Sequence, residues 1–323
     1  MNIKKISIAI MMFALMALLV ACGGDDKSSD AQEEKTTGDT PEVEEAETMT
    51  ITHQLGETTI DKNPETIVVF DFGTLDTLDE LGIEVAGVPQ ANVPSYLSKY
   101  EDEKYTNVGA LKEPDFETIH AMNPDVIFIS NRQLDMYDEL NEIAPTIFVG
   151  LDTTDYMNSF KGNMEMLAEL FGKEEEVQTQ LTEIDEQIAA IQEKVESTDA
   201  KALIVLGNEG KVSAYGPGSR FGLIHDVFGF KSADEKIEVS THGQSISFEY
   251  ILETNPDILF VVDRDQAVGG DASAKDSIEN DIVKKTNAYT NDQIIYLDPD
   301  FWYLSGGGLQ SVKEMIKEIE PVL

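Results

Sequence analysis

Arginine is almost missing from this chain of 323 residues. Only Arg132, Arg220 and Arg264 occur, and lysine supplies every other basic side chain. Lysine would give the same charge, so these three positions ask for the planar fork of a guanidinium. Positive charge as a whole is scarce: 23 Lys and Arg stand against 62 Asp and Glu, for a net charge of −39. That balance excludes nucleic acid as a partner, since nothing here could release counterions from phosphates. It also repels an anionic ligand unless positive charge is concentrated at one place. Cysteine occurs once, at Cys22, so no disulfide can form within one chain. An apolar run long enough for a comfortable membrane span is lacking too; the run at residues 6–20 is too short.

What is present at the start is a processing signal. Lys4 and Lys5 precede the apolar run, which ends in Leu19-Val20-Ala21-Cys22. Small residues before a cysteine resemble a lipobox, predicting a lipoprotein signal peptide over 1–21 and a lipid anchor on Cys22. No thiol then remains for catalysis. Residues 22–48 form an acidic tether in which ten acids face two lysines and large apolar residues are nearly absent. Such a stretch cannot repay the entropy of ordering and is expected to be disordered.

The rest reads as α/β. Apolar runs of strand length recur at residues 67–70, 126–129, 147–149, 202–206, 258–262 and 294–297, with helix-like stretches between several of them. Continuous β-branched runs alternating with helices predict mostly parallel sheets covered on both faces. The longest helical stretch, 155–197, is divided by Gly172, and beyond it Val177, Leu181, Ile184, Ile188, Ile191 and Val195 recur at spacings of four and three. The stripe could seed a coiled-coil dimer. One helix spanning two lobes accounts for it more simply, and a monomer is expected. The organisation is therefore an N-terminal lobe at 49–154, a linking helix at 155–197 and a C-terminal lobe at 198–323.

One phrase is written twice: "FETIHAMNPDVIFISNR" (116–132) returns as "FEYILETNPDILFVVDR" (248–264). Each copy predicts a short helix, a turn at Asn-Pro-Asp and a buried strand. Each ends on an arginine beyond the carboxyl end of its strand, where ligands sit in open α/β sheets. Two Rossmann-like lobes would each offer one arginine to a cleft between them. Arg220 follows the turn Gly216-Pro217-Gly218 and adds a third. Three guanidiniums suit a ligand with several anionic oxygens, such as a citrate-like carboxylate or a ferric catecholate. At an effective dielectric of about 20, each charge at ~4 Å contributes on the order of 4 kcal/mol before desolvation.

Among four histidines, His120 and His225 read as packing residues and His53 begins a strand-like segment. His242 lies in the polar loop "STHGQS", where an exposed role and a ligand role are both open. Tyr303, in "FWYLSGGG", is either packing or a loop residue able to reach a ligand with Trp302 beside it. A phenolate and an imidazole can both bind ferric iron. Glu117 and Glu249 take the same place in the two repeats. Each is favourable at a helix start, and the pair could also dock a basic partner.

At these residues the chain resembles the helix-linked (class III) substrate-binding proteins of ABC importers for ferric siderophores, haem and cobalamin. Among them it is similar to catecholate-siderophore lipoproteins, particularly those that take petrobactin. The resemblance covers 49–323 and rests on Arg132, Arg220 and Arg264, with His242 and Tyr303 in their loops. It implies that the arginines hold a negatively charged ferric complex and that His242 and Tyr303 can complete iron coordination. It further implies that Glu117 and Glu249 dock on the permease, which works with its ATPase. The protein would lie on the extracytoplasmic face of the membrane, bind a ferric siderophore as cargo and need no intrinsic cofactor. Haem or cobalamin is the alternative cargo. A surface hydrolase or metalloenzyme fits less well, because HExxH, GxSxG and a spaced histidine cluster are all absent. An adhesin would show no small-molecule affinity.

Overall fold

The computed structural model describes residues 47–240, 242–270 and 274–322. The expected signal peptide, Cys22 and nearly all of the tether lie outside the described residues. The tether's last residue, Thr48, already opens a strand: β1 (Thr48–His53) pairs with β2 (Gly56–Asp61) as an antiparallel hairpin. Then come β3 (Ile67–Val69), α1 (Phe72–Glu80), β4 (Gly87–Val88), β5 (Thr106–Asn107), β6 (Gly109–Ala110), β7 (Glu113–Pro114), α2 (Phe116–Met122), β8 (Val126–Ile129), α3 (Tyr137–Ile143) and β9 (Thr146–Phe148). Strands β5-β4-β3-β8-β9 form the first sheet, parallel throughout.

Helices α4 (Tyr156–Phe171) and α5 (Glu174–Glu196) connect it to the second half. There β10 (Lys201–Asn208), β11 (Lys211–Tyr215), α6 (Leu223–Asp226), β12 (Lys231–Ser232) and β13 (Gln244–Ile246) precede α7 (Phe248–Thr254) and β14 (Ile258–Asp263). They are followed by α8 (Arg264–Ala267), α9 (Ala274–Ile278), α10 (Asn287–Thr290), β15 (Ile294–Leu297) and α11 (Leu309–Ile319). The second sheet runs β13-β11-β10-β14-β15, parallel through its centre and antiparallel at the β11 and β13 edge. The predicted α/β architecture with two mostly parallel sheets is the observed one.

Every residue of β8 and of β14 is buried, as expected for strands with both faces covered. The repeated phrase builds the same unit twice. Asn123 and Asn255 end α2 and α7 in the left-handed conformation, at φ 47° and 45°, which asparagine tolerates better than most side chains. Two residues later an aspartate clasps the neighbouring strand. The Asp125 carboxylate accepts the N–H groups of Glu65 and Thr66 at 2.9 and 2.8 Å, and that of Asp257 accepts the Lys201 N–H at 3.0 Å. Their own N–H groups donate to the carbonyls of Thr66 and Lys201, both at 2.9 Å. The phrase thus sets the register of β8 on β3 and of β14 on β10.

The linking segment divides at Gly172 as the sequence indicates: Gly172 takes φ 64° and ends α4, and α5 is the long helix beyond it. Every residue of the α5 stripe, from Val177 to Val195, is buried against its own chain, so the stripe serves this chain's core and is not free to form a coiled coil. The last helix crosses over: α11 follows the second sheet yet packs on α1 and α5. Its first N–H groups need acceptors. Leu309 donates to Thr77 Oγ1 at 3.0 Å, and Gln310 and Ser311 donate to the Asp76 carboxylate at 3.3 and 3.1 Å. Asp76 is fully buried, and that burial pushes its carboxyl up to about 7 despite these donors.

Candidate functional site

The three arginines meet at one tyrosine. Arg132 lies on a 3-10 turn (Asn131–Met136) that follows β8 and is anchored by Ser130 and the buried Gln133. The Gln133 side chain accepts the Ser130 N–H at 3.1 Å and donates to the Leu111 carbonyl at 2.5 Å. Arg264 opens α8 beyond β14, under the cap of Asp263, whose carboxylate accepts the Gln266 N–H at 3.1 Å. Arg220 stands on the loop between β11 and α6. Gly218 turns that loop at φ 71°, and the Asp226 carboxylate draws in its N–H at 2.6 Å.

Tyr303 sits within a π-helical turn (Asp300–Ser305) that ends at Gly306, in the left-handed conformation at φ 49°. Its carbonyl accepts Nη2 of Arg132 at 2.8 Å and Nη2 of Arg220 at 2.5 Å, while its hydroxyl accepts Nε of Arg264 at 3.1 Å. The Arg220 guanidinium also lies 4.2 Å from the ring centroid, a cation–π stack. Arg132 reaches the Leu304 carbonyl at 3.3 Å, and Arg264 reaches Asn208 Oδ1 at 2.8 Å. One arginine therefore comes from the first half and two come from the second, around a turn of the second.

Electrostatics follow from this crowding. Burial alone would push the Tyr303 phenol up. The charge of Arg220, the hydrogen bond from Arg264 and the charges of Arg264 and Arg132 outweigh it and hold the phenol below its ordinary value. Burial, reinforced by repulsion from Arg220, brings Arg132 down to about 10. It stays cationic at neutral pH. A half-buried phenol drawn toward phenolate, ringed by three cations that retain unused N–H donors, can accept an anionic complex and offer a hard oxygen to a metal inside it.

The other expected site residues fall elsewhere. Trp302, expected at the ligand, is buried instead and donates its indole N–H to Glu318 at 2.8 Å. Neighbouring positions of one turn face different ways, so the ring next to Tyr303 points into the core. His242 is exposed on the turn before β13, with no hydrogen bond to the arginine cluster among the described residues. Its loop lies beside that of Arg220: a Cβ on Gly218 would stand 3.9 Å from Val239. Glu117 and Glu249 are exposed in the first turns of α2 and α7. Of the histidines expected to pack, His225 is buried and His120 is exposed. Among the described residues, no group of three or more His, Cys, Asp and Glu stands close enough to hold a metal ion, and no helix is long and apolar enough to cross a membrane.

Sequence reasoning missed Asn208, which fixes Arg264, and it missed Ser95 and Tyr96, which grip the tyrosine's turn from the first half. Nothing local marks these residues, since their partners lie far away along the chain. Nor does the sequence show what Gly308 is for: a Cβ there would lie 1.9 Å from Asp76 Oδ1 and 2.1 Å from the Gly73 carbonyl, so only glycine lets α11 seat on α1.

The model of the periplasmic binding protein family matches residues 67–301. The petrobactin-binding protein of Bacillus subtilis is 47% identical to this chain, over 98% of each. Its crystal structure superposes with a TM-score of 0.84 at 51% identity, covering 85% of this chain and 98% of that one. A periplasmic catecholate-siderophore binding protein from Vibrio cholerae superposes with a TM-score of 0.82 at 38% identity, covering 85% of this chain and 100% of that one.

Proposed function

The chain belongs to the periplasmic binding protein family, and from that premise we propose that it captures a ferric catecholate siderophore of the petrobactin kind for an ABC importer. The observation that carries this reading is the convergence of Arg132, Arg220 and Arg264 on Tyr303. A ferric tris-catecholate carries roughly −3 charge, which three guanidiniums balance through charge-assisted hydrogen bonds. In a chain this acidic, the cluster concentrates positive charge where such an anion is drawn in rather than repelled.

The roles follow from position. The three arginines hold the catecholate oxygens. When the siderophore leaves iron positions open, the Tyr303 phenolate fills one, and His242 is the second candidate through its loop beside Arg220. Trp302 reports on the site as a fluorophore without touching the cargo. Glu117 and Glu249, exposed at equivalent helix starts, dock on basic residues of the permease, whose ATPase drives uptake. Residues 49–154 and 198–323 act as the two lobes, with 155–197 as their link. Cys22 carries the lipid that keeps a monomeric receptor on the extracytoplasmic face, at the end of the 22–48 tether.

The test is a titration of the full chain in detergent with ferric bis-catecholate, ferric tris-catecholate, haem and cobalamin, following Trp302 emission. Saturable quenching by the catecholates is expected. Each of Arg132→Gln, Arg220→Gln and Arg264→Gln should weaken it by about 10- to 100-fold, the worth of one charged hydrogen bond. Binding of haem or cobalamin alone would overturn the ligand.

A further inference from the structure

The turn that carries Tyr303 is gripped at both ends by one dipeptide of the first half. At its start, Asp300 Oδ2 accepts the Ser95 N–H at 2.8 Å and the Ser95 hydroxyl at 2.5 Å. At its end, the Tyr96 hydroxyl lies 2.6 Å from Ser305 Oγ and 3.0 Å from Asp76 Oδ2. Asp76 already accepts two backbone N–H groups of α11, and its Oδ2 accepts the Tyr96 hydroxyl as well. Tyr96 therefore donates to Asp76, and the Ser305 hydroxyl donates to Tyr96. The ring of Tyr96 also stacks on Phe301 with centroids 4.7 Å apart. Tyr303 lies between these anchors.

A π-helical turn is wide, uncommon and held only where its surroundings over-determine it. From within, the Gly306 N–H donates to the Phe301 carbonyl across five residues at 2.8 Å. Other restraints come from outside, among them the two arginine bonds to the Tyr303 carbonyl, the Trp302 bond to Glu318, and Ser95 with Tyr96. The arginines are also the groups a ligand would engage. Ser95 and Tyr96 thus hold the turn through contacts that a ligand on the arginines need not touch.

We propose that Ser95 and Tyr96 are positioning residues for Tyr303, holding its phenol where it favours ferric complexes that leave an iron position open over those that fill all six. This rests on the receptor reading and on Tyr303 meeting the iron. The prediction is a split between ligands. Tyr96→Phe keeps the ring stack and removes the hydroxyl relay, whereas Ser305→Ala removes only the relay's first donor.

In the full chain in detergent, each variant should weaken ferric bis-catecholate by about tenfold and ferric tris-catecholate by less than about twofold, the scale expected of a misplaced group. The visible tyrosinate-to-iron absorption band of the bis-catecholate complex should fade toward that of Tyr303→Phe. Combining Tyr96→Phe with Ser305→Ala should add little, since both cut one relay. A role confined to stability would weaken both complexes alike and leave the band of the bound fraction intact; either result overturns the proposal. If the unaltered protein binds neither complex, the receptor reading itself fails. If it binds both and the variants leave their ratio unchanged, that reading stands and the positioning role falls.

Discussion

Tyr303 gathers the functional chemistry at the scale of single residues, and its neighbours show why arginine cannot be exchanged for lysine. Arg264 spends one nitrogen on the Tyr303 hydroxyl and another on Asn208. A lysine ammonium cannot span that fork. Arg264→Lys is therefore expected to lose nearly as much ferric catecholate affinity as Arg264→Gln, about tenfold, despite keeping its charge; titration of the two side by side checks it. A buried and a half-buried carboxyl make a second prediction. Burial pushes both Asp76 and Glu318 up to about 7, above their unfolded values of 3.8 and 4.5. Between those limits the folded state holds protons the unfolded state has lost, so stability is full in acid and falls as pH rises through about 7. The slope is at most about 1.4 kcal/mol per pH unit for each group, and Asp76→Asn with Glu318→Gln should flatten it in thermal melts across that range. The arginines could be found by their scarcity alone. Trp302 could not be placed, because adjacency in sequence does not tell which face of a π-helical turn a side chain takes.

At the scale of elements, the duplicated phrase is a register device as well as a carrier of arginines. Asp125 satisfies two backbone N–H groups at the entry to β3, and Asp257 satisfies one at the entry to β10. Asp125→Ala is expected to cost about 1–3 kcal/mol in denaturant unfolding, and Asp257→Ala less. Gly308 sets a stricter limit. A methyl there has no room against Asp76 and Gly73, so Gly308→Ala must lift α11 from α1. The expected loss is about 1–3 kcal/mol, and an unfolding midpoint equal to that of the unaltered protein would contradict the packing described. The strands and the α5 stripe were readable because burial on both faces, or along one stripe, writes itself as apolar periodicity. The π-helical turn and the β11 and β13 edge depend on partners distant in the chain, and periodicity carries little of that information.

For the whole molecule, contacts within the chain itself join the two halves. Arg132 holds Tyr303 and Leu304, Ser95 holds Asp300, and α11 rests on α1. Binding should then change the radius of gyration by less than about 1 Å in solution scattering, the behaviour of a pre-organised receptor. A larger contraction would mean that these contacts break and re-form around the ligand. The placement of α11 also has a consequence in time. The flank of α1 is completed by residues that are synthesised more than two hundred positions later. A chain threaded N-terminus first through an export channel could not finish its leading half until its trailing helix arrived. The late helix would keep the polypeptide pliable for transit and lock it only once the journey is over.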